Sequence, residues 1–433
     1  MEQPPGRLVS ALVTAGGRLI GTVGPFPVRG PRWADVEPVV AHLRRALGVP
    51  VVVLRLVTVD GGGGARDGHV TYHVEALQPP GPLSQPDGAS PPGPGAGAFP
   101  QWEPGASYQA RPGYAELTAP VAGRAMWATA AGVREALGWA AAALRDAGRQ
   151  PVGPVEQVKT WNLAGLFRVP TSAGPAWLKT TPPFATCEAT AIEVVGQADP
   201  ELVPVVLAAD PARGWVLLEH IPGADCWNAS EEVIREAVSR MATAQAAIAR
   251  RGTVPHGLPD RRPRALARQV NDLLDGEAAG SLTTGELSEA WRLAERLPAL
   301  ITALEECGLP DTFVHGDFHP GNWRSGGRGT VVLDFADGHY GHPAVDGLRP
   351  RDFLPETRWA SAADAWAGTW SALVPGSDPV RALALAEPLS HLSYAVRYQE
   401  FLDNIEDSER RYHEGDPAAE IRAALAAMAA TPL

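Results

Sequence analysis

Lysine is nearly missing from this chain. Of its 37 basic residues only Lys159 and Lys179 are lysines. The bias fits a GC-rich genome, and it marks the two survivors, because arginine does not replace lysine where a compact point charge must reach a phosphate. Cysteine is scarce as well. Cys187, Cys226 and Cys307 are scattered and form no C-x-x-C, which argues against a disulfide framework or zinc site and for a reducing cytosol. No apolar run approaches the roughly 18 residues of a membrane helix. The opening MEQPPGRLVS lacks the basic-then-apolar order of a signal peptide. A cytoplasmic protein with no membrane partner is therefore expected. Positive charge is in deficit, with a net charge of -12, which disfavours nonspecific nucleic-acid binding and would suit a cationic substrate. The oligomeric state leaves no mark.

What is present is globular. A chain of 433 residues, 45% hydrophobic and 20% charged, can bury two or three cores. Its most informative stretch is His315-Gly-Asp-Phe-His-Pro-Gly-Asn322, followed by the apolar run Val331-Val-Leu and then Asp334-Phe335. Phosphoryl transfer needs a carboxylate to orient and deprotonate a hydroxyl, and oxygen ligands to hold magnesium against nucleotide phosphates. Asp317 has the position of the first, and Asn322 and Asp334 have the positions of the second. The form H-x-D-x-x-x-x-N, an apolar strand and Asp-Phe follows the order of a kinase catalytic loop and metal loop.

These residues resemble the aminoglycoside phosphotransferase and choline kinase-like family, whose loop reads H-G-D-x-x-x-x-N with a following L-I-D-W/F. Glycine after the histidine points to its small-molecule branch. The resemblance covers about residues 155 to 433. It implies an α+β, bilobal protein kinase-like fold, with a β-rich N-lobe and a helical C-lobe. It implies ATP as phosphoryl donor, with GTP not excluded, Mg2+ at Asn322 and Asp334, and a small-molecule hydroxyl as acceptor. Strands are expected at 158–163, 165–169 and 176–180, with a helix over 185–197. Lys179 stands where the family places its nucleotide lysine. Glu188 matches the lysine's glutamate partner, with Glu193 as the competing choice, and Lys159 reads as an edge-strand charge. Strands at 203–207 and 215–218 lead into Leu218, Glu219, His220 and Ile221, the segment whose backbone would bind the adenine edge. The turn at 162–166 lacks G-x-G-x-x-G, a departure that leaves the phosphate contacts open. His315 and His319 read as structural supports of the loop. Asp346 closes G-x-P-x-x-D and reads as a tie for the metal loop. Asp337 reads as a turn residue before a substrate contact. Helices are expected over 231–251, 284–307, 359–373, 380–404 and 418–429.

The first 150 residues lie outside that resemblance. A hairpin over 8–20, a helix over 33–47 and strands at 51–57 and 70–74 suggest a small α/β cap domain. The order invites comparison with a degenerate Nudix fold. His42, Arg45 and Ala46 stand where metal-binding carboxylates would be needed, so a noncatalytic cap is expected, and a hydrolase fused to a kinase is the weaker reading. Residues 79–125 are rich in Pro, Gly and Ser, notably Pro91 to Gly97, and read as a mobile linker. Trp102 and Tyr108 within it suggest that a part docks on the lobes. The expected domains are thus 1–78, the linker 79–125, an N-lobe with its leading helix at 126–222, and a C-lobe at 223–433. The alternative to an active enzyme is a catalytically silent nucleotide-binding pseudokinase or scaffold, although the residues such proteins usually lose are all present.

Overall fold

The computed structural model describes residues 6–78, 103–104, 117–327 and 329–431. They form two compact units, one of residues 1–182 with 404–413 and one of 183–403 with 414–433. Most of the expected linker, with Pro91 to Gly97, Trp102 and Tyr108, lies outside the described residues.

The first unit opens with β1 (Gly6–Ala15), β2 (Arg18–Arg29), α1 (Glu37–Leu47), β3 (Val51–Asp60), β4 (His69–Ala76) and the two-residue β5 (Glu103–Pro104). The sheet order is β3-β4-β1-β2-β5. β1 lies at its centre, antiparallel to β2 and parallel to β4. Alternation sets the core face, because successive side chains point to opposite sides of a strand. Val9, Ala11 and Val13 of β1 and Val70, Tyr72 and Val74 of β4 are buried, packed with Val39, Val40, Leu43 and Leu47 of α1. The helix expected from Trp33 begins instead at Glu37. Residues 34–36 are held by β-type hydrogen bonds, Val36 N to Val158 O at 3.1 Å and Thr160 N to Ala34 O at 3.1 Å, so their backbone cannot join a helix.

Helix α2 (Ala130–Asp146) precedes the antiparallel meander β6 (Glu156–Trp161), β7 (Ala164–Val169) and β8 (Ala176–Thr180). β6 packs on β3. The buried Gln157 side chain imitates a ladder rung there, donating to Val53 O at 2.7 Å and accepting from Val53 N at 2.9 Å. Residues 404–413 belong to the same unit. Glu409 Oε1 accepts from Leu56 N at 3.0 Å, and Glu406 pairs with Arg55 at 3.2 Å and Arg124 at 2.8 Å.

The second unit begins with α3 (Glu188–Gly196) and the hairpin β9 (Val206–Asp210) and β10 (Trp215–Glu219). The strand expected at 203–207 starts three residues later, since Pro204 has no N–H to give a ladder. β11 (Ala224–Asp225) pairs with a later strand. Then come α4 (Glu231–Arg250), α5 (Pro263–Asp275) and α6 (Thr284–Glu305). A capping box starts α6, with Glu286 N donating to Thr283 Oγ1 and Thr283 N to Glu286 Oε2. Four short strands carry the polar loops: β12 (Thr312–Val314), β13 (Trp323–Gly326), β14 (Gly329–Val332) and β15 (His339–Gly341). β11, β13 and β14 make one ribbon and β12 and β15 another. Helices α7 (Ala344–Leu348), α8 (Glu356–Leu373), α9 (Pro379–Asn404) and α10 (Asp416–Ala430) complete the chain. The architecture is α+β, with sheets first and helices after. Among the described residues, no helix is long and apolar enough to cross a membrane.

Burial pushes the Glu409 carboxyl up from its ordinary 4.5 to about 8, and Glu406 adds to the shift. The sign follows from proton counting. Between about 4.5 and 8 the unfolded chain has lost this proton while the folded one keeps it, so stability from this group is full below 4.5 and is lost as pH rises through 8. Glu409→Gln keeps an acceptor for Leu56 N and cannot ionise. Thermal melts from pH 5 to 9 should show it gaining on the wild type as pH rises. A melting-temperature difference that is flat with pH would contradict this account.

Candidate active site

Strand β12 delivers the chain into His315, Gly316 and Asp317. The loop is tied down by one buried carboxylate. Asp346 Oδ2 accepts His315 N at 2.7 Å and Gln245 Nε2 at 2.7 Å, and its Oδ1 accepts Gly316 N at 2.9 Å. Burial pushes the Asp346 carboxyl up to about 7, against the pull of these three donors. The buried His315 ring braces the same loop, with Nδ1 accepting Asp317 N at 3.2 Å and Nε2 within 3.0 Å of Leu333 O. Gly316 has φ +82°, and a Cβ there would stand 2.5 Å from Asp337 O. The loop and the turn after Asp334 thus touch at backbone level, which only glycine allows.

Asp317 is half-buried and faces four donors. Its Oδ1 accepts Arg349 Nε at 3.0 Å and NH2 at 2.8 Å. Its Oδ2 accepts Asn322 Nδ2 at 2.9 Å and faces His319 Nε2 at 3.3 Å. Burial alone would raise this carboxyl, but the Arg349 guanidinium and His319 hold it well below the usual carboxylate range. His319 Nδ1 accepts Gly321 N at 3.0 Å. Its ring stacks on Phe353 with centroids 4.0 Å apart and lies 5.5 Å from Trp227.

Asn322 ends a short 3-10 turn, and Asp334 begins the next one at φ 63°. Because Asn322 spends its amide nitrogen on Asp317, its side-chain oxygen is left to act as a ligand. The two segments are joined by Leu333 N donating to Asn322 O at 2.7 Å. Among the described residues no group of three or more His, Cys, Asp or Glu could hold a metal ion. One amide oxygen with one carboxylate fits magnesium, which takes one or two protein oxygens and completes its shell with water and substrate phosphates. Asn322 and Asp334 are therefore a chemically suitable pair.

Glu188 stands at the start of α3. It is buried, and its Oε1 accepts Phe335 N at 3.1 Å, so α3 reaches the backbone beside Asp334. Glu193 is on the same helix, five residues further on and exposed. Lys179 is buried on β8 in the first unit. Lys159 lies 3.8 Å from Asp35 on the surface. Leu218 and Glu219 end β10, and His220 and Ile221 follow without regular structure. Gly223 closes that segment at φ +117°, where a Cβ would meet Ser325 O at 2.2 Å. Asp337 sits in the 3-10 turn, and its Oδ1 accepts Arg397 Nε at 2.7 Å.

Sequence reasoning missed Arg349. Its signal is spacing alone: it follows Asp346 by three residues on a helical turn, so both side chains share one face.

A family model described as "Phosphotransferase enzyme family" matches residues 166–384, just over half of the chain. Solved structures are similar at low identity. A choline/ethanolamine kinase family protein from Mesorhizobium loti is 19% identical, with 68% of this chain and 98% of that one covered and a TM-score of 0.49. A macrolide 2'-phosphotransferase from Brachybacterium faecium is 17% identical, with 65% and 97% covered and a TM-score of 0.46. The choline kinase of Streptococcus pneumoniae is 14% identical, with 64% and 94% covered and a TM-score of 0.48. A search of curated proteins returns no match.

Removing the Asp346 carboxylate leaves three buried donors unpaired, at about 1–3 kcal/mol for each buried group. Asp346→Ala should melt several degrees lower and lose hydrogen-exchange protection at the His315 and Gly316 amides. Unchanged protection at those two amides would show that the loop is held by something else.

Proposed function

We propose a specific activity for this chain, which belongs to the phosphotransferase enzyme family: transfer of the γ-phosphoryl group of Mg-ATP to a hydroxyl of a small molecule. The observation that carries it is the Asp317 carboxylate, faced by four donors of which Asn322 Nδ2 is one, with Asn322 O in turn accepting Leu333 N beside Asp334. An arrangement of this kind suits phosphoryl transfer, in which positioning and electrostatics do most of the work.

Asp317 orients the acceptor hydroxyl and takes its proton. Asn322 and Asp334 would hold magnesium, which when bound supplies positive charge at the nucleotide phosphates. Glu188 steadies the backbone next to Asp334 through Phe335 N. Lys179 is assigned the nucleotide phosphates, on family membership and on its place on the strand before α3. The backbone of Leu218, Glu219, His220 and Ile221 is assigned the nucleotide base, with ATP preferred and GTP an open second donor. Antibiotics, amino sugars and related hydroxylated metabolites are the acceptors to try. The N-terminal domain, taken as residues 1–78, is read as noncatalytic, because α1 carries His42 and Arg45 in place of a carboxylate array.

The test is transfer from Mg-ATP or Mg-GTP to a mixed acceptor panel, read by product mass. Asp317→Ala should cut turnover on the order of 10²–10⁴-fold, the range of general-base loss, with nucleotide affinity little changed. Wild-type turnover in that variant would remove Asp317 from the reaction. Tight Mg-ATP binding with no transfer to any acceptor would favour the silent nucleotide-binding reading.

A further inference from the structure

The Asp317 carboxylate is already full before any acceptor arrives. Two oxygens offer about four lone-pair sites. Arg349 Nε and NH2 occupy Oδ1 at 3.0 and 2.8 Å, and Asn322 Nδ2 and His319 Nε2 occupy Oδ2 at 2.9 and 3.3 Å. An entering hydroxyl must displace one donor, and the four are not equally easy to move.

Arg349 is held on every side. Its guanidinium lies 4.8 Å from the Phe353 ring centre and 4.5 Å from that of Tyr394, and NH1 is 3.5 Å from Asp352. Its two bonds to Oδ1 are charge-assisted, the strong kind. Asn322 Nδ2 is anchored twice, since it also donates to Asp317 O at 3.0 Å. The His319 contact is the longest, beyond the usual upper distance for such a bond of about 3.2 Å. Apart from a 3.4 Å contact with Asn322 Nδ2, the His319 ring is held by stacking and by Gly321 N, with no charged partner other than Asp317.

We propose that Arg349 is a positioning residue for phosphoryl transfer. It holds Asp317 by Oδ1 throughout, so that Oδ2, once His319 yields, is the oxygen that receives the acceptor hydroxyl. This rests on the reading of Asp317 given above. In the step itself the acceptor oxygen bonds to the γ-phosphorus and its proton passes to Asp317 Oδ2. The bond from that phosphorus to the β,γ-bridging oxygen breaks, and the electron pair leaves with the nucleoside diphosphate. Asp317 then gives the proton to solvent. The carboxylate aims the hydroxyl and accepts the proton late, as a loose transition state requires.

The fold explains why an arginine can serve from this position. Asp346 and Arg349 lie three apart on the turn that runs from α7 into Arg349–Phe353. Asp346 grips the backbone N–H groups of His315 and Gly316, and Arg349 grips the side chain of the next residue. One helical turn therefore holds three consecutive residues. A lysine would keep the charge but could not place two N–H groups on one oxygen from a rigid plane.

The test compares Arg349→Met, Arg349→Lys, Asp317→Ala and the double variant Asp317→Ala/Arg349→Met in the full chain. Readouts are kcat, KM for Mg-ATP and melting temperature, using the best panel acceptor or, lacking one, slow phosphoryl transfer to water. Arg349→Met should lower kcat on the order of 10²-fold, the cost of a misplaced catalytic group, with the ATP KM within about threefold. Arg349→Lys should recover part of that loss. The double variant should be no slower than Asp317→Ala alone, because a residue that acts only through Asp317 has nothing left to position. Wild-type kcat in Arg349→Met overturns the proposal. So does a double variant slower than Asp317→Ala by the factor that Arg349→Met costs alone, since Arg349 would then act directly on the reacting groups. If Arg349→Met fails to fold, a folded Arg349→Lys enzyme with full kcat overturns it instead. An inactive wild type, toward every acceptor and toward water, removes the phosphotransfer reading itself. An active wild type indifferent to Arg349 removes only the positioning role.

Discussion

The contact on which the rest of the site depends is between one buried carboxylate and two successive backbone N–H groups. Asp346 takes the amides of His315 and Gly316 and the side-chain amide of Gln245. Buried donors must be paired, and a carboxylate can satisfy several at once. Gln245 lies on α4, and its own carbonyl accepts Thr312 Oγ1 at 2.7 Å. The strand that enters the 315–322 loop, the helix behind it and the turn that follows the 334–337 segment are thereby locked together. Asp317 inherits its position from that lock, because it is the next residue in the chain.

The segment around Asp334 is held by a second set of contacts that share the same logic. Glu188 accepts Phe335 N, Asn322 O accepts Leu333 N, and the His315 ring reaches Leu333 O. Asp334 itself has a left-handed backbone, φ 63°, a conformation that costs a non-glycine residue free energy and persists only when its surroundings over-determine it. Here both flanking residues have their N–H groups claimed, one by the catalytic loop and the other by α3. The close approach of Gly316 to Asp337 O removes the last freedom between the two loops. Local strain and backbone contact together make the two loops one rigid element.

Much of this was legible because the chemistry is local in sequence. Asp317 and Asn322 are five residues apart and Asp334 twelve further on, and the strand and helix periodicities around them are strong. Glu188 was legible as a residue, but its contact with Phe335 N was not, since a distant backbone amide leaves no trace in a motif. Arg349 was missed because one arginine among 35 carries no signal of its own, and only its spacing from Asp346 connects it to the site. Helix α5 was not singled out either, although Pro263 at its start and Leu266, Val270, Leu273 and Leu274 on its buried face have the pattern of an amphipathic helix. Trp33 to Val36 looked helical by composition, and tertiary hydrogen bonding to β6 overrode that preference.

The largest gap between sequence and structure concerns the N-terminal residues, and it has a physical cause. Composition suggests a cap of residues 1–78 attached by a linker. The compact unit that contains those residues also contains 404–413, more than 300 positions later. Arg55 and Arg124 are buried ions that need counter-charge, and Glu406 supplies it to both. Burying an unpaired charge costs several kcal/mol after relaxation, so neither partner is stable in that interior without the other. Tyr412 then fills the same core, edge-on to Trp33 and Trp161. The first unit is therefore completed by a segment from near the chain's other end. A shortened protein of residues 155–433 would leave Glu406, Glu409 and Tyr412 without Arg55, Arg124, Leu56 and Trp33, the groups they pair with and pack against.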